Sequence, residues 1–265
     1  MSMTAVKNYV NGAKVLHLSL GLEFPENDYS FRLLLKGLTR LHPHEEKRAL
    51  PITPLLLRRL FSVMDMEDSL HVALWCCYLT AFFLFARKST LLPPSTAGFD
   101  PRKHFTRGDF ARSERGLTVL IRWSKTLQCG ERHLQLPLLA MPGSVLCPCL
   151  AFDRMVSRLP AGNLSPAFLY VSASGTVSVT HAVFVNSLRS LLKRAGLDAR
   201  GFSGHSFRRG GASCAFEAGV PGELIQLHGD WRSDAYLKYL EVPMQHRLQV
   251  CHRMRSLILS SDFEG

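Results

Sequence analysis

Residues 201–240, GFSGHSFRRGGASCAFEAGVPGELIQLHGDWRSDAYLKYL, decide how this chain is read, because they set His205, Arg208, Trp231 and Tyr239 on short helices joined by tight turns. His205 and Arg208 are three apart, so on a helix they share one face, and a helix beginning there adds free backbone N–H groups and the positive end of a dipole. An anion such as a phosphate is the natural guest of that face. Gly219 followed by Val220-Pro221 reads as a helix stop and restart. Gly229-Asp230 reads as a second turn, before a helix carrying Tyr236 and Tyr239 on one side.

Composition frames that stretch. The 265 residues are 46% hydrophobic, enough for a packed globular core. Lys and Arg number 32 against 21 Asp and Glu, a formal charge of +11 that favours a polyanionic partner, nucleic acid or an anionic membrane surface. The longest apolar run, residues 72–86, is shorter than the roughly 18 to 20 residues of a bilayer span and lies too far from the N-terminus for a signal peptide, so it reads as a core helix. Seven cysteines form no paired C-x-x-C framework; Cys76-Cys77 fall inside the apolar run and Cys147-Pro148-Cys149 reads as loop, which points to a reduced, intracellular protein without zinc. No Gly-rich phosphate loop is present, so nucleotide-driven chemistry is not expected.

Taken in order, the chain opens with apolar residues at helical spacing (Val6, Tyr9, Val10, Val15, Leu16), a polar loop, and a second helical run, YSFRLLLKGLTRLH. The polar, proline-bounded segment 42–54 reads as a linker, with a domain boundary near residue 48 and Thr53 capping the next helix. Residues 69–84 are apolar nearly all round, as in a central helix, and end in Phe85-Ala86-Arg87-Lys88-Ser89. GLTVLIRWS and RHLQLPL alternate as two antiparallel strands around a tip at residues 125–130. Then come a helix at 146–159, a short strand at 167–172 before a Gly175 turn, and an amphipathic helix at 181–195 with Arg189, Lys193 and Arg194 facing solvent or a DNA backbone. After Pro243 a basic helix carries an apolar stripe of Leu248, Cys251, Met254, Leu257 and Ile258, suited to a neighbouring protomer, to its own domain or, least well, to a membrane surface. The fold class expected is mainly α with a small antiparallel β-sheet (α+β).

The order His-x-x-Arg, Gly-x-Trp, and a Tyr eight residues past the Trp resembles the second conserved box of tyrosine recombinases, and HSFRRGGAS with GDWRSDAYLKYL looks most like recombinases of eukaryotic mobile elements such as DIRS-type retrotransposons. Arg87 and Ser89 match the family's first box, whereas Thr90 stands where many relatives carry an acidic residue that orients the first Arg. The resemblance implies residues 1–48 as the C-terminal part of a helical core-binding domain plus linker, from a truncated copy or gene model, and residues 49–265 as the catalytic domain. It implies double-stranded DNA as partner, a homo-oligomer on that DNA, the nucleus as location, and no cofactor, metal, nucleotide or membrane.

The roles implied follow phosphodiester chemistry. Tyr239 attacks the scissile phosphate and leaves a 3′-phosphotyrosine and a free 5′-hydroxyl. Arg87 and Arg208 clamp non-bridging oxygens through planar forks. His205 bonds the phosphate and assists loss of the phenol proton, the Trp231 indole N–H donates to a phosphate oxygen, and Lys125 on the β-hairpin protonates the leaving 5′-oxygen. Tyr236 is the rival nucleophile; Arg209 and His228 match no catalytic position and read as supporting or DNA-facing residues. These side chains are expected to converge on one pocket large enough for a backbone ester. A silent descendant that binds DNA without cutting, and a type IB topoisomerase, are the competing readings.

Overall fold

The computed structural model describes residues 3–26, 28–42, 48–124, 133–240 and 244–261. The chain divides into two units, Met1–Arg48 and Ala49–Gly265. In the first, α1 (Met3–Ser19) and α2 (Tyr29–Leu41) are joined by a turn in which Phe24 stands edge-on to His17 and Phe31, with ring centroids 5.4 and 5.8 Å away. Asp28 caps α2 by accepting from the Phe31 N–H at 2.8 Å.

The second unit is built around α4. It begins with α3 (Pro54–Ser62), whose Thr53 cap accepts from the Leu56 N–H, and continues into α4 (Ser69–Phe83), capped by Asp68. Every residue from Val72 to Phe82 is buried, so α4 is covered on all faces, as its sequence without a polar stripe requires. A short helix α5 (Lys88–Leu91) follows, then a three-stranded antiparallel sheet in the order β1 (Phe110–Ser113), β2 (Gly116–Ile121), β3 (Leu134–Leu139). Gly116 pairs with Leu139 and Ile121 with Leu134, so the two strands read from alternation do form a hairpin; the Lys125 side of its tip lies outside the described residues. Strand β1 was not legible in the sequence: it has four residues and three of them are exposed, leaving no alternation to detect.

Next come α6 (Pro148–Arg158), the hairpin β4 (Leu169–Ser172) with β5 (Gly175–Ser178), and α7 (His181–Arg194). Cys149 is not in a loop but in the first turn of α6, which the Cys147 sulfur caps, and both residues are buried. On α7, Arg189, Lys193 and Arg194 are exposed, while Phe184, Leu188, Leu191 and Leu192 are buried. Helix α8 (His205–Glu217) docks against α4 and α7 through one aromatic cluster. Tyr78 stacks on Phe207 at 4.8 Å, meets Phe184 edge-on at 5.0 Å and donates to the Phe184 carbonyl at 3.2 Å.

The approach of α8 is close enough to need glycine. A β-carbon on Gly210 would come 1.8 Å from the Ile52 carbonyl oxygen, and one on Gly211 would come 2.1 Å from that of Phe82. Gly219, with φ +79°, ends the helix, and α9 (Gly222–His228) restarts the chain. Residues Asp234–Tyr239 form a 3-10 turn rather than the α-helix expected, which still sets Tyr236 and Tyr239 on one side because three residues make one turn of that helix. Helix α10 (Met244–Ser261) closes the described chain; its Leu248, Cys251, Met254 and Ile258 are exposed. Among the described residues no helix is long and apolar enough to cross a membrane.

Candidate active site

Arg208 lies at the centre of the sequence-predicted residues. Its position three residues into α8 carries the side chain inward, where it is 2% exposed, whereas His205 at the first position of the same helix is partly covered and keeps part of its surface in solvent. The helix start has a Gly204 cap with no side-chain acceptor, and Ser203 accepts from the His205 N–H at 3.2 Å. A buried guanidinium must spend its donors well. Here Nη1 donates to the Phe85 carbonyl and Nη2 to the Gly229 carbonyl at 2.7 Å.

Both carbonyls adjoin unusual backbone. Phe85 has φ +47° and Asp230 has φ +51°, a left-handed conformation uncommon outside glycine and costing on the order of 1–3 kcal/mol each. At the end of α4 this turn swings the Phe85 carbonyl toward α8; at the end of α9 it lies just past Gly229. Aspartate tolerates that conformation, so Gly229-Asp230 was legible as a turn, but nothing in the sequence marks Phe85.

The Trp231 ring covers the guanidinium, 3.7 Å from its carbon to the ring centroid, and the Tyr239 ring lies 5.4 Å away. Trp231 and Tyr239 contact each other at 5.3 Å, and Ser213 on α8 donates to the Tyr239 carbonyl at 3.2 Å, which fixes the turn carrying the phenol. Tyr236 is set differently: its hydroxyl packs where a Gly222 β-carbon would come within 2.6 Å, against the start of α9. Of the two phenols, Tyr239 is thus the one at the guanidinium.

Arg87, half-buried at the cap of α5, lines a pocket with Thr90, Ser124, Arg208, His228 and Asp230. Arg87 and Arg208 thus line one pocket. That space is about 20 Å³, room for one water. Among the described residues this half-open space is smaller than a backbone ester.

The electrostatics of the site are those of an anion binder. Burial and the like charge of Arg87 push the Arg208 pKa down to about 9, opposed by Tyr239 and Asp230. Burial, then Arg87, Arg208 and Lys88, lowers the His205 pKa, so its imidazole is neutral at pH 7 and able to take a proton. Two buried donors, Arg208 Nε and Trp231 Nε1, have no partner among the described residues. An oxyanion reaching this edge would satisfy both and restore the arginine.

Arg209 is buried, and His228 bonds the Phe83 carbonyl through Nε2 at 2.8 Å and packs on Phe85 at 4.6 Å, supporting the turn that holds Arg208. Lys125 lies outside the described residues. Ser124, immediately before it, is buried and donates to Asp230 Oδ2 at 3.3 Å.

No family model and no curated protein matches the sequence. Solved structures do. A Tn1549 transposon integrase in complex with circular intermediate DNA aligns at TM-score 0.59 and 14% identity over 95% of this chain and 79% of the other. The XerA recombinase aligns at TM-score 0.52 and 15% identity over 96% and 77%. The XerH site-specific recombinase bound to its difH substrate aligns at TM-score 0.51 and 13% identity over 95% and 70%. The mostly helical architecture with small antiparallel sheets, in which Arg208, Trp231 and Tyr239 meet, is the fold of the tyrosine recombinases.

Proposed function

We propose that this chain is a site-specific DNA strand transferase, a recombinase or integrase that cuts and rejoins double-stranded DNA through a 3′-phosphotyrosine. One observation carries the reading: a buried arginine, with a second arginine beside its pocket, lies against the indole and the phenol that the sequence singles out. In this reading the Tyr239 oxygen attacks phosphorus in line, its proton passes to neutral His205, and the bond to the 5′-oxygen breaks. Arg87 and Arg208 hold the non-bridging oxygens while charge builds on them, and Trp231 Nε1 donates to one of them. Lys125 returns a proton to the leaving oxygen, so the chemistry needs no metal or nucleotide. Reversal by another strand's 5′-hydroxyl rejoins the DNA without an energy source. The basic charge, the likeness to integrase folds and the DIRS-like wording of residues 205–240 support a mobile-element enzyme acting in the nucleus as a homo-oligomer on DNA.

A second reading, a silent descendant that binds DNA without cutting, is favoured by two observations. The enclosed space is small, and Arg208 is held by main-chain oxygens. A nicked suicide duplex carrying the protein's own site separates them. Strand transfer yields a covalent complex that survives denaturant and vanishes in Tyr239→Phe; a complex that salt wholly reverses in both proteins refutes it.

A further inference from the structure

Arg87 and Arg208 line one small pocket and need a counter-charge there, and Thr90, which lines it too, has a hydroxyl that cannot neutralise a guanidinium. The same enclosure contains a carboxylate from elsewhere in the chain. Asp230 is 7% exposed, lines the pocket with Arg87, Thr90 and Arg208, and accepts from Ser124 Oγ at 3.3 Å. Ser124 follows the end of β2, a segment pinned by the ion pair of Arg122 with buried Asp109. The residue before Asp230 supplies the carbonyl that takes Arg208 Nη2 at 2.7 Å. One dipeptide, Gly229-Asp230, therefore grips the arginine by its main chain and the sheet by its side chain. Its left-handed backbone at Asp230 is kept despite its cost. The carboxylate also acts on the arginine through space, supporting its charged form against burial and Arg87.

We propose that Asp230 is the acidic positioning residue of the arginine clamp: it supplies the counter-charge for Arg208, and through Ser124 it locks the end of β2 to the Trp231 turn. The assignment rests on the strand-transfer reading.

Asp230→Asn is the informative variant, because asparagine also tolerates the left-handed backbone and still accepts from Ser124, so that only the charge is lost. Single-turnover formation of the covalent complex is measured on the suicide duplex at saturating protein, with DNA affinity measured separately. The second substrate carries a neutral methylphosphonate at the scissile position, which removes the charge the clamp must neutralise. Asp230→Asn is expected to slow cleavage of the ordinary ester by roughly 100-fold, the scale of a misplaced catalytic group, at unchanged affinity. On the methylphosphonate its deficit relative to wild type shrinks to about tenfold or less.

Ser124→Ala, which keeps the charge, shows the same dependence on the ester with a loss of roughly tenfold, that of one hydrogen bond to a carboxylate. It carries the test if Asp230→Asn fails to fold. Cleavage at the wild-type rate, or an equal deficit on both esters, overturns the positioning role while leaving strand transfer intact. A wild-type protein that forms no covalent complex overturns the strand-transfer reading, and the assignment with it.

Discussion

Gly211→Ala should cost both stability and reactivity, for reasons that can be worked from distances. A methyl at position 211 would stand 2.1 Å from the Phe82 carbonyl oxygen and 2.6 Å from the Phe85 ring, where an ordinary contact begins near 3.4 Å. Helix α8 or the end of α4 must therefore move by about 1.3 Å, the difference between 3.4 and 2.1 Å. Alanine gains about 1 kcal/mol over glycine in helix propensity, but overpacking a core typically costs 1–3 kcal/mol, and here the first obstacle is main chain, which cannot swing aside. The net expectation is a loss of about 1–2 kcal/mol in urea-induced unfolding of the second unit. The displaced segment contains Phe85, whose carbonyl holds Arg208, so any cleavage activity should fall by roughly 100-fold as well. Gly37→Ala in α2 is the reference, since nothing lies within 4 Å of its β-carbon and the same substitution should stabilise that helix by about 0.5–1 kcal/mol. A Gly211→Ala protein as stable as wild type would refute the claim that α8 sits at glycine distance from α4.

Three further outcomes are expected. Lys88 helps depress the His205 pKa, so Lys88→Met should raise it, and the acid limb of the cleavage–pH profile, which needs neutral His205, should move to higher pH; an unmoved limb would exclude His205 as the titrating group. Tyr236→Phe should cleave suicide duplex nearly as wild type does, because its hydroxyl meets α9 and not Arg208, and an inactive Tyr236→Phe beside an active Tyr239→Phe would reverse the nucleophile. His104, His181, His205 and His228 all have folded pKa values lowered chiefly by burial, so the unfolded chain binds protons first on acidification. Stability should be full above about pH 6.5 and decline below it, and a melting temperature that is flat or rises from pH 7 to 5 would contradict this.

Much of the fold was legible because its long elements carry strong patterns: α4 is apolar on every face, α7 keeps its basic residues opposite its leucines, and Thr53 and the Gly219 stop mark real helix ends. What escaped was short or set by tertiary contact. Strands β1 and β5 have too few residues to show a period, and the segment carrying Tyr236 and Tyr239 tightened to a 3-10 turn because it is drawn against Trp231 and Ser213. At the site, the closeness of Arg208 to Trp231 and Tyr239 was expected through family likeness. The main-chain grip on Arg208 was not, since it uses a left-handed turn at Phe85 that the side chain does not announce.

The means by which Arg208 is gripped bears on how such a site could drift. Peptide oxygens are supplied by any amino acid, so replacing the side chain at position 85 need not release the guanidinium, provided the chain still bends the same way there. What is inherited would then be a curve of the polypeptide and not a set of letters. A lineage could exchange most of its alphabet around the arginine and keep the grip.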